Sequence, residues 1–200
     1  MRVKKLYLFY YLFLLLIYGI KKAFTTIFEY NVRNTTEDIN EVFRNMMDTK
    51  LSRYDVILNF DDEYYKLFFY NDHNIHMKND IIFQSKKGAI WDYTNRALSV
   101  FFVNFGQKDL DKKMIFRNIT FYNYNNLNNR YANPFVFETL DPDNRLTIEY
   151  DNCVFDKMIG ITFNFQIACR NNVQTTPQVI FRNTKFMYAH IYIYKLFYSE

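Results

Sequence analysis

The sequence is poor in the residues that define several protein classes. It has only 4 Gly and 3 Pro among 200 residues, which excludes collagen-like chains and disordered segments rich in Pro and Gly. Its 2 Cys are too few for a disulfide-framework miniprotein or a four-cysteine zinc site. The net charge is only +4, without the concentrated basic face of a nucleic-acid-binding protein, so we expect no nucleic-acid partner.

Aromatic and amide side chains, by contrast, are abundant. The chain contains 22 Phe, 18 Tyr and 23 Asn, residues with AT-rich codons. Genome bias explains part of this abundance, so the positions of these residues are more informative than their number. The length favours one domain with a short appendage.

Residues 1–23 have the pattern of a signal peptide or signal anchor. Arg2, Lys4 and Lys5 precede the uncharged run from Leu6 to Ile20, which is shorter than the ~20 residues of a membrane span. Gly19 and Ala23 are the only small residues near a cleavage point, so an uncleaved anchor is the alternative. We expect a secreted or cell-surface protein, with membrane contact only if the segment is not cleaved.

Residues 24–54 form an N-terminal segment with a predicted capping helix. The polar run 34–38 is rich in helix-capping side chains, and Ile39, Val42 and Phe43 follow at helical spacing. This predicts a helix over about residues 36–50. From Val56 the apolar period becomes two, which predicts that residues 55–200 are mostly β-strand.

One sequence pattern recurs in the β region. The hexapeptide aromatic-x-Asn-x-x-Phe occupies residues 116–121, 150–155 and 181–186, at spacings of 34 and 31 residues. A degenerate copy lies at residues 81–85, and a strand-like alternation precedes each copy. Such regular self-similarity is typical of stacked repeat architectures.

The Asn in each copy has a physical role in this interpretation. Asn tolerates the left-handed backbone conformation, so Asn118, Asn152 and Asn183 each bend the chain between two strands. Stacked coils would place them in a structural ladder of hydrogen-bonded amides. Two aromatic columns would then point inward: Phe116, Tyr150 and Phe181, and Phe121, Phe155 and Phe186. An ordinary β-sandwich is the alternative.

These units resemble the right-handed parallel β-helix, or pectin-lyase-like, superfamily, and are most similar to its non-catalytic secreted and cell-surface repeat proteins. The resemblance covers about residues 55–200 and implies an all-β fold with a short N-terminal capping helix. It also raises two options for the C-terminal coil, which has no polar cap: a truncated repeat array or cover by a partner.

The motifs of the polysaccharide-cleaving members are absent. Asn183-Thr184 is followed by Lys185, no His is followed by Gly, and the acidic pairs Asp61-Asp62 and Asp141/Asp143 lie in predicted turns. We therefore predict no catalytic, cofactor-binding or metal-binding residues, and a non-catalytic structural or binding role. The alternative is a polysaccharide lyase or hydrolase, intact or fragmentary, with a carboxylate pair formed by the fold.

Several surface and core residues complete the sequence predictions. Asn34 lies in an accessible glycosylation sequon, whereas Asn118 lies in a second sequon inside the ladder. A cell-wall glycan or another surface protein is the expected partner, with Tyr122, Tyr124 and Tyr131 as outward aromatics. Arg117, Asp151 and Arg182 predict a surface charge ladder.

The two cysteines have the phase of inward-facing residues. We expect Cys153 and Cys169 to be buried, unpaired thiols, with a disulfide as the alternative.

Overall fold

The computed structural model describes residues 26–47, 54–67, 73–76, 79–96, 101–104, 112–126, 134–139, 146–168 and 179–198. Among them is one helix, α1 (Thr36–Met47), and the remaining regular structure is strand. No helix within these ranges has the length and hydropathy needed to cross a membrane.

The strands follow one another along the chain with short breaks. They are β1 (Ile27–Asn31), β2 (Asp55–Asn59), β3 (Tyr64–Lys66), β4 (His73–His76), β5 (Ile81–Asp92), β6 (Phe101–Asn104), β7 (Lys112–Asn125), β8 (Phe135–Thr139), β9 (Leu146–Asp151), β10 (Val154–Ala168), β11 (Val179–Arg182), β12 (Lys185–Met187) and β13 (His190–Tyr198).

Every described strand pairing is parallel, and together the pairings form a β-solenoid. The first face stacks β1, β2, residues 81–84, residues 112–117, β9 and β11. The second face stacks β3, residues 89–92, residues 119–125, residues 154–159 and β12. The third face stacks β4, β6, β8, residues 163–168 and β13. The predicted parallel solenoid is thus confirmed, and the β-sandwich is excluded.

Aromatic columns fill the interior. In one column Phe116 stacks on Tyr150 at 4.9 Å between ring centroids, and Tyr150 stacks on Phe181 at 5.2 Å. In the other, Phe155 lies 4.8 Å from Phe121 and 5.1 Å from Phe186. These separations match the ~4.8 Å between neighbouring strands, because each ring follows its own backbone.

The first corner, Asn118, Asn152 and Asn183, joins the first face to the second. All three residues have left-handed φ angles, of 57°, 53° and 50°. The Asn152 side-chain amide donates to Oδ1 of Asn118 at 3.1 Å, and the Asn118 amide donates to the Ser85 carbonyl at 2.9 Å. A side-chain hydrogen bond between Asn152 and Asn183 stays a prediction.

Helix α1 covers one end of the solenoid, because its apolar side chains pack against the core there. Ile39, Val42 and Phe43 are buried, and the Phe43 ring lies 6.1 Å from that of Phe83. Asp38 fixes the helix start, because its carboxylate accepts hydrogen bonds from the Tyr30 hydroxyl at 2.7 Å and from the Arg33 backbone. The sequence did not predict β1, which precedes the helix and pairs with β2.

Polar side chains stack along the outside of the first face. Gln84 donates to Asn59 at 2.9 Å, and Arg117 donates to Gln84 at 3.4 Å. Arg117 also pairs with Asp151 at 3.4 Å, as the sequence predicted, whereas Arg182 pairs with Glu149 at 3.0 Å. The ion pairs of the charge ladder are therefore continuous, through Arg117, with the hydrogen-bonded amides of Gln84 and Asn59.

Cys153 lies inside the solenoid as a free, buried thiol. Burial raises its pKa to about 12, so the thiol is neutral and unreactive at physiological pH. Cys169 lies outside the described residues.

Candidate functional site: the corner groove

A second column of left-handed residues follows the first corner. Asn123, Lys157 and Tyr188 have φ angles of 62°, 53° and 47°, and each lies five residues after an Asn of the first corner. We call these three residues the second corner. Asn tolerates this conformation, but Lys and Tyr adopt it at a cost of about 1 kcal/mol or more each.

The second corner borders an open groove of about 740 Å³, which we call the corner groove. Its polar lining comes from Asn95, Asn123 and Lys157, and its apolar lining from Ile159, Phe186 and Ala189, with Tyr188 contributing to both. Tyr188 is 84% exposed, so its ring projects into solvent at the groove. The groove thus combines an exposed aromatic ring, amides and one ammonium group.

Tyr122 orients the ammonium group of Lys157. The Lys157 Nζ donates to the Tyr122 hydroxyl at 3.0 Å, and lies 5.1 Å from the centroid of the same ring. This hydrogen bond raises the pKa of Lys157, so the side chain is a cation at physiological pH. The contact leaves the ammonium with further hydrogens to donate, since Lys has three.

Asp92 stabilises the backbone beside the groove through three hydrogen bonds. Its carboxylate accepts hydrogen bonds from the Tyr64 hydroxyl, from the Thr94 backbone at 2.6 Å and from the Asn123 amide at 3.2 Å. The bond to Asp92 raises the pKa of Tyr64 to about 12. Asp92 therefore fixes the turn that presents Asn95 and Asn123, and its own oxygens are occupied.

The structure separates the aromatic residues proposed from sequence. Tyr122 is half-buried beside Lys157, but the prediction for Tyr124 was wrong: its ring is fully buried and lies 5.4 Å from that of Tyr93. After Asn123 the left-handed turn reverses the alternation, so Tyr124 points inward. Tyr131 lies outside the described residues.

Asn34, Asp61 and Asp62, which the sequence analysis singled out, do not line the corner groove. Asn34 is exposed just before α1, and its backbone N–H donates to Asp62 at 3.0 Å. Asp61 likewise accepts a hydrogen bond from a backbone N–H, that of Lys86 in β5, at 3.4 Å. Asp141 and Asp143 lie outside the described residues.

Sequence reasoning missed Asn95, Lys157 and Tyr188. The available signal was the spacing of Asn123, Lys157 and Tyr188, which repeats the same 34 and 31 residues as the first corner. Because Asn, Lys and Tyr are chemically dissimilar, this spacing does not show as a repeated residue type. A third position at this spacing pairs Asn126 with Gly160, whose φ is 107° and whose backbone packs directly against the Asn126 amide.

The groove has the chemistry of a binding surface. An exposed ring can stack on an apolar face of a ligand, while amides and an ammonium can bind hydroxyl oxygens. Within the described part of the chain, no cluster of three or more His, Cys, Asp or Glu residues could hold a metal ion.

No family model, curated protein or solved structure matches this chain.

Proposed function

We propose that this chain is a secreted or cell-surface protein that binds carbohydrate in the corner groove without catalysis. One observation carries the proposal: Lys157 and Tyr188 occupy left-handed positions that suit Asn, and both line an open groove. Backbone strain at exposed residues is a cost that a binding role would explain. A sugar ring presents apolar C–H faces to an aromatic ring and hydroxyls to amides, which is the combination that the groove offers.

The proposal extends to the handedness of the solenoid and to its superfamily. We infer a right-handed helix related to the pectin-lyase-like superfamily, supported by the parallel register and by the stacked Asn118 and Asn152 amides. The basic and apolar pattern of residues 1–23 supports a secretory route. The segment itself lies outside the described residues.

Secretion would expose Asn34 to glycosylation. Its side chain is exposed, whereas the Asn118 amide is hydrogen-bonded between Ser85 and Asn152. Mass spectrometry of material expressed in secreting cells should find a glycan on Asn34 and little on Asn118. Full occupancy at Asn118 would contradict the assignment of its amide to the ladder.

Binding is tested with soluble cello-, xylo-, manno- and galacturono-oligosaccharides by isothermal titration calorimetry. We expect one of these series to bind, and Tyr188→Ala and Lys157→Gln each to weaken that binding at least about tenfold. Ile27→Ala and Lys66→Gln are the controls, since both residues are exposed and lie outside the groove lining. Failure of the wild-type protein to bind any series, or equal binding by the groove variants, would refute the proposal.

A polysaccharide lyase or hydrolase is the second candidate, and one observation favours it. Asp92 and Asp156 flank Tyr122 in register on the second face, beside Lys157. Asp92 already accepts hydrogen bonds from three donors, so its oxygens are occupied by the protein, which places this candidate second. Release of reducing or unsaturated ends that disappears in Asp156→Asn would establish the enzyme.

A further inference from the structure

Tyr64, which lies on β3, is held in a fixed position on the outside of the second face. Its neighbour Tyr65 is fully buried, so the alternation of the strand points Tyr64 outward, and 44% of its surface is exposed. Its hydroxyl donates to the carboxylate of Asp92 in the next coil. An exposed side chain samples several rotamers when nothing restrains it, and this hydrogen bond restrains Tyr64. The ring therefore loses little conformational freedom when a ligand binds it.

The same hydrogen bond determines how the ring lies on the sheet. Tyr64 pairs in register with Ile90, whereas Asp92 is two residues further along β5 and has the same outward phase. The side chain of Tyr64 must therefore lean across the neighbouring strand to reach the carboxylate. A ring that lies along a sheet in this way turns one face to the protein and the other to solvent. Tyr64 thus presents an open aromatic face, the geometry that stacking requires.

Asp92 also connects Tyr64 to the corner groove. Its carboxylate accepts a hydrogen bond from the Asn123 amide at 3.2 Å, and Asn123 lines the groove. Tyr122 pairs with Asp92 in the strand register. The hydroxyl of Tyr122 accepts a hydrogen bond from Lys157, a second lining residue of the groove, and has its own hydrogen to donate. The surface from Tyr64 to the groove is therefore one continuous sheet face with polar groups along it.

Tyr64 and Lys157 are too far apart for one small ligand to contact both. β3 pairs with β5, β5 with β7 and β7 with β10, so three coil steps separate the two residues. At ~4.8 Å per step they lie ~14 Å apart along the solenoid axis. A monosaccharide in the groove does not reach Tyr64, whereas a chain of several sugar units does.

We propose that Tyr64 is a second contact for the ligand of the corner groove, and that this ligand is a linear, uncharged oligosaccharide. The inference rests on the carbohydrate binding proposed above and extends it to the length and charge of the ligand. The chain runs from the groove across the second face, with one sugar unit stacked through its apolar face on the Tyr64 ring. Tyr64 is thereby the residue that makes the protein prefer long chains.

The charges and the backbone of the second face favour this ligand over two others. Asp92 and Asp156 flank Tyr122 in register, so the path carries carboxylates as well as the ammonium of Lys157 and offers an anionic chain no net attraction. A peptide strand has no free edge to join here, because β5 and β7 are each paired on both sides along this face. An uncharged glycan needs only a ring and hydrogen-bonding groups, and the face supplies both.

Isothermal titration calorimetry of the full chain with the di-, tetra- and hexasaccharides of the cello-, xylo-, manno- and galacturono- series tests the proposal. We expect an uncharged series to bind, and its hexasaccharide to bind about three- to tenfold more tightly than its disaccharide, the gain from one stacked aromatic contact. Tyr64→Leu should remove this gain, because it removes the ring. Tyr64→Phe keeps the ring and should keep most of the gain. Ile27→Ala, which changes an exposed side chain on the first face, is the control and should keep all of it.

The ratio of hexasaccharide to disaccharide affinity separates this inference from the proposed function. Disaccharide binding with no gain for longer chains, or a gain that Tyr64→Leu leaves intact, would refute the second contact while the groove proposal stands. If no series binds at any length, both proposals fail. Binding by the galacturono- series alone would contradict the uncharged ligand.

The comparison of Tyr64 variants distinguishes a ligand contact from a purely structural role. Equal loss of the gain in Tyr64→Leu and Tyr64→Phe would show that Tyr64 only positions Asp92, and would overturn the proposal. If Tyr64→Leu does not fold, as judged by circular dichroism, Tyr64→Gln replaces it, since the Gln amide lacks a ring but has a hydrogen to donate to Asp92.

Discussion

The two corners of the solenoid place the same demand on the backbone and answer it with different side chains. At the first corner Asn118, Asn152 and Asn183 are left-handed, and the amides of the first two are hydrogen-bonded into the stack. At the second corner Lys157 and Tyr188 are left-handed residues that project into solvent. Asn therefore occupies the corner where side-chain amides hold the coils together, whereas Lys157 and Tyr188, which are unsuited to the conformation, join Asn123 at the corner that lines the groove.

The largest expected effect is at the first corner. Asn152→Ala removes both a residue tolerant of the left-handed conformation and the hydrogen bond to Asn118, and should lower the free energy of unfolding by about 2–3 kcal/mol. Urea denaturation monitored by fluorescence measures this loss. Asn152→Gly is the control: it keeps the backbone freedom and should lose clearly less. Equal losses in both variants would show that the backbone conformation contributes nothing.

A pH effect is expected just inside the first corner, at Cys153. Its thiol has a pKa of about 12 in the folded protein against 9.0 for the free group, so above pH 9 the unfolded chain loses a proton that the folded protein keeps. The contribution of the buried thiol to the free energy of unfolding is therefore present in full below pH 9. Above pH 9 the free energy of unfolding falls as the pH rises, by up to about 1.4 kcal/mol per pH unit.

Denaturation of wild-type protein and of Cys153→Ala between pH 8 and pH 10 measures this slope, since buried tyrosines contribute equally to both. The difference between the two proteins should shrink as the pH rises. A constant difference would mean that Cys153 is not buried as a thiol.

The second corner should respond in the opposite direction. Lys157→Asn replaces a strained residue by one that tolerates a left-handed φ, and should raise the free energy of unfolding by about 1 kcal/mol. The same change should weaken carbohydrate binding in the corner groove. Thermal unfolding and calorimetry on one preparation give both values. A loss of stability with unchanged binding would mean that the second corner is optimised for folding.

The smallest expected effect is on the outer charge ladder. Arg117 is exposed and its contact with Asp151 is 3.4 Å long, so Arg117→Ala should cost no more than about 0.5 kcal/mol. Added salt should reduce this cost further. A loss as large as that of Asn152→Ala would move the main contribution to coil stacking from the corner amides to the surface ion pairs.

Local sequence patterns predicted much of this fold for a clear reason. Period-two alternation at Leu146–Tyr150 and an Asn between two strands act through the backbone of a few residues, so they can be recognised without knowledge of the neighbours. The same reasoning failed at Tyr124, because the left-handed turn at Asn123 shifts the alternation of inward and outward side chains by one residue. It also missed β1, a short strand whose pairing with β2 spans the intervening helix.

The sequence by itself determined the repeat, the parallel stacking and the first corner, because the spacing of Asn118, Asn152 and Asn183 encodes both a bend and its alignment. Only the tertiary structure decided that Lys157 and Tyr188 form a second corner, since neither residue prefers a left-handed φ and both adopt it where neighbouring coils fix the turn. It also decided that Phe155 is buried while Phe186, in the same column, is half exposed. Burial depends on the coil lying above a residue, and that coil is a long-range neighbour that no local pattern contains.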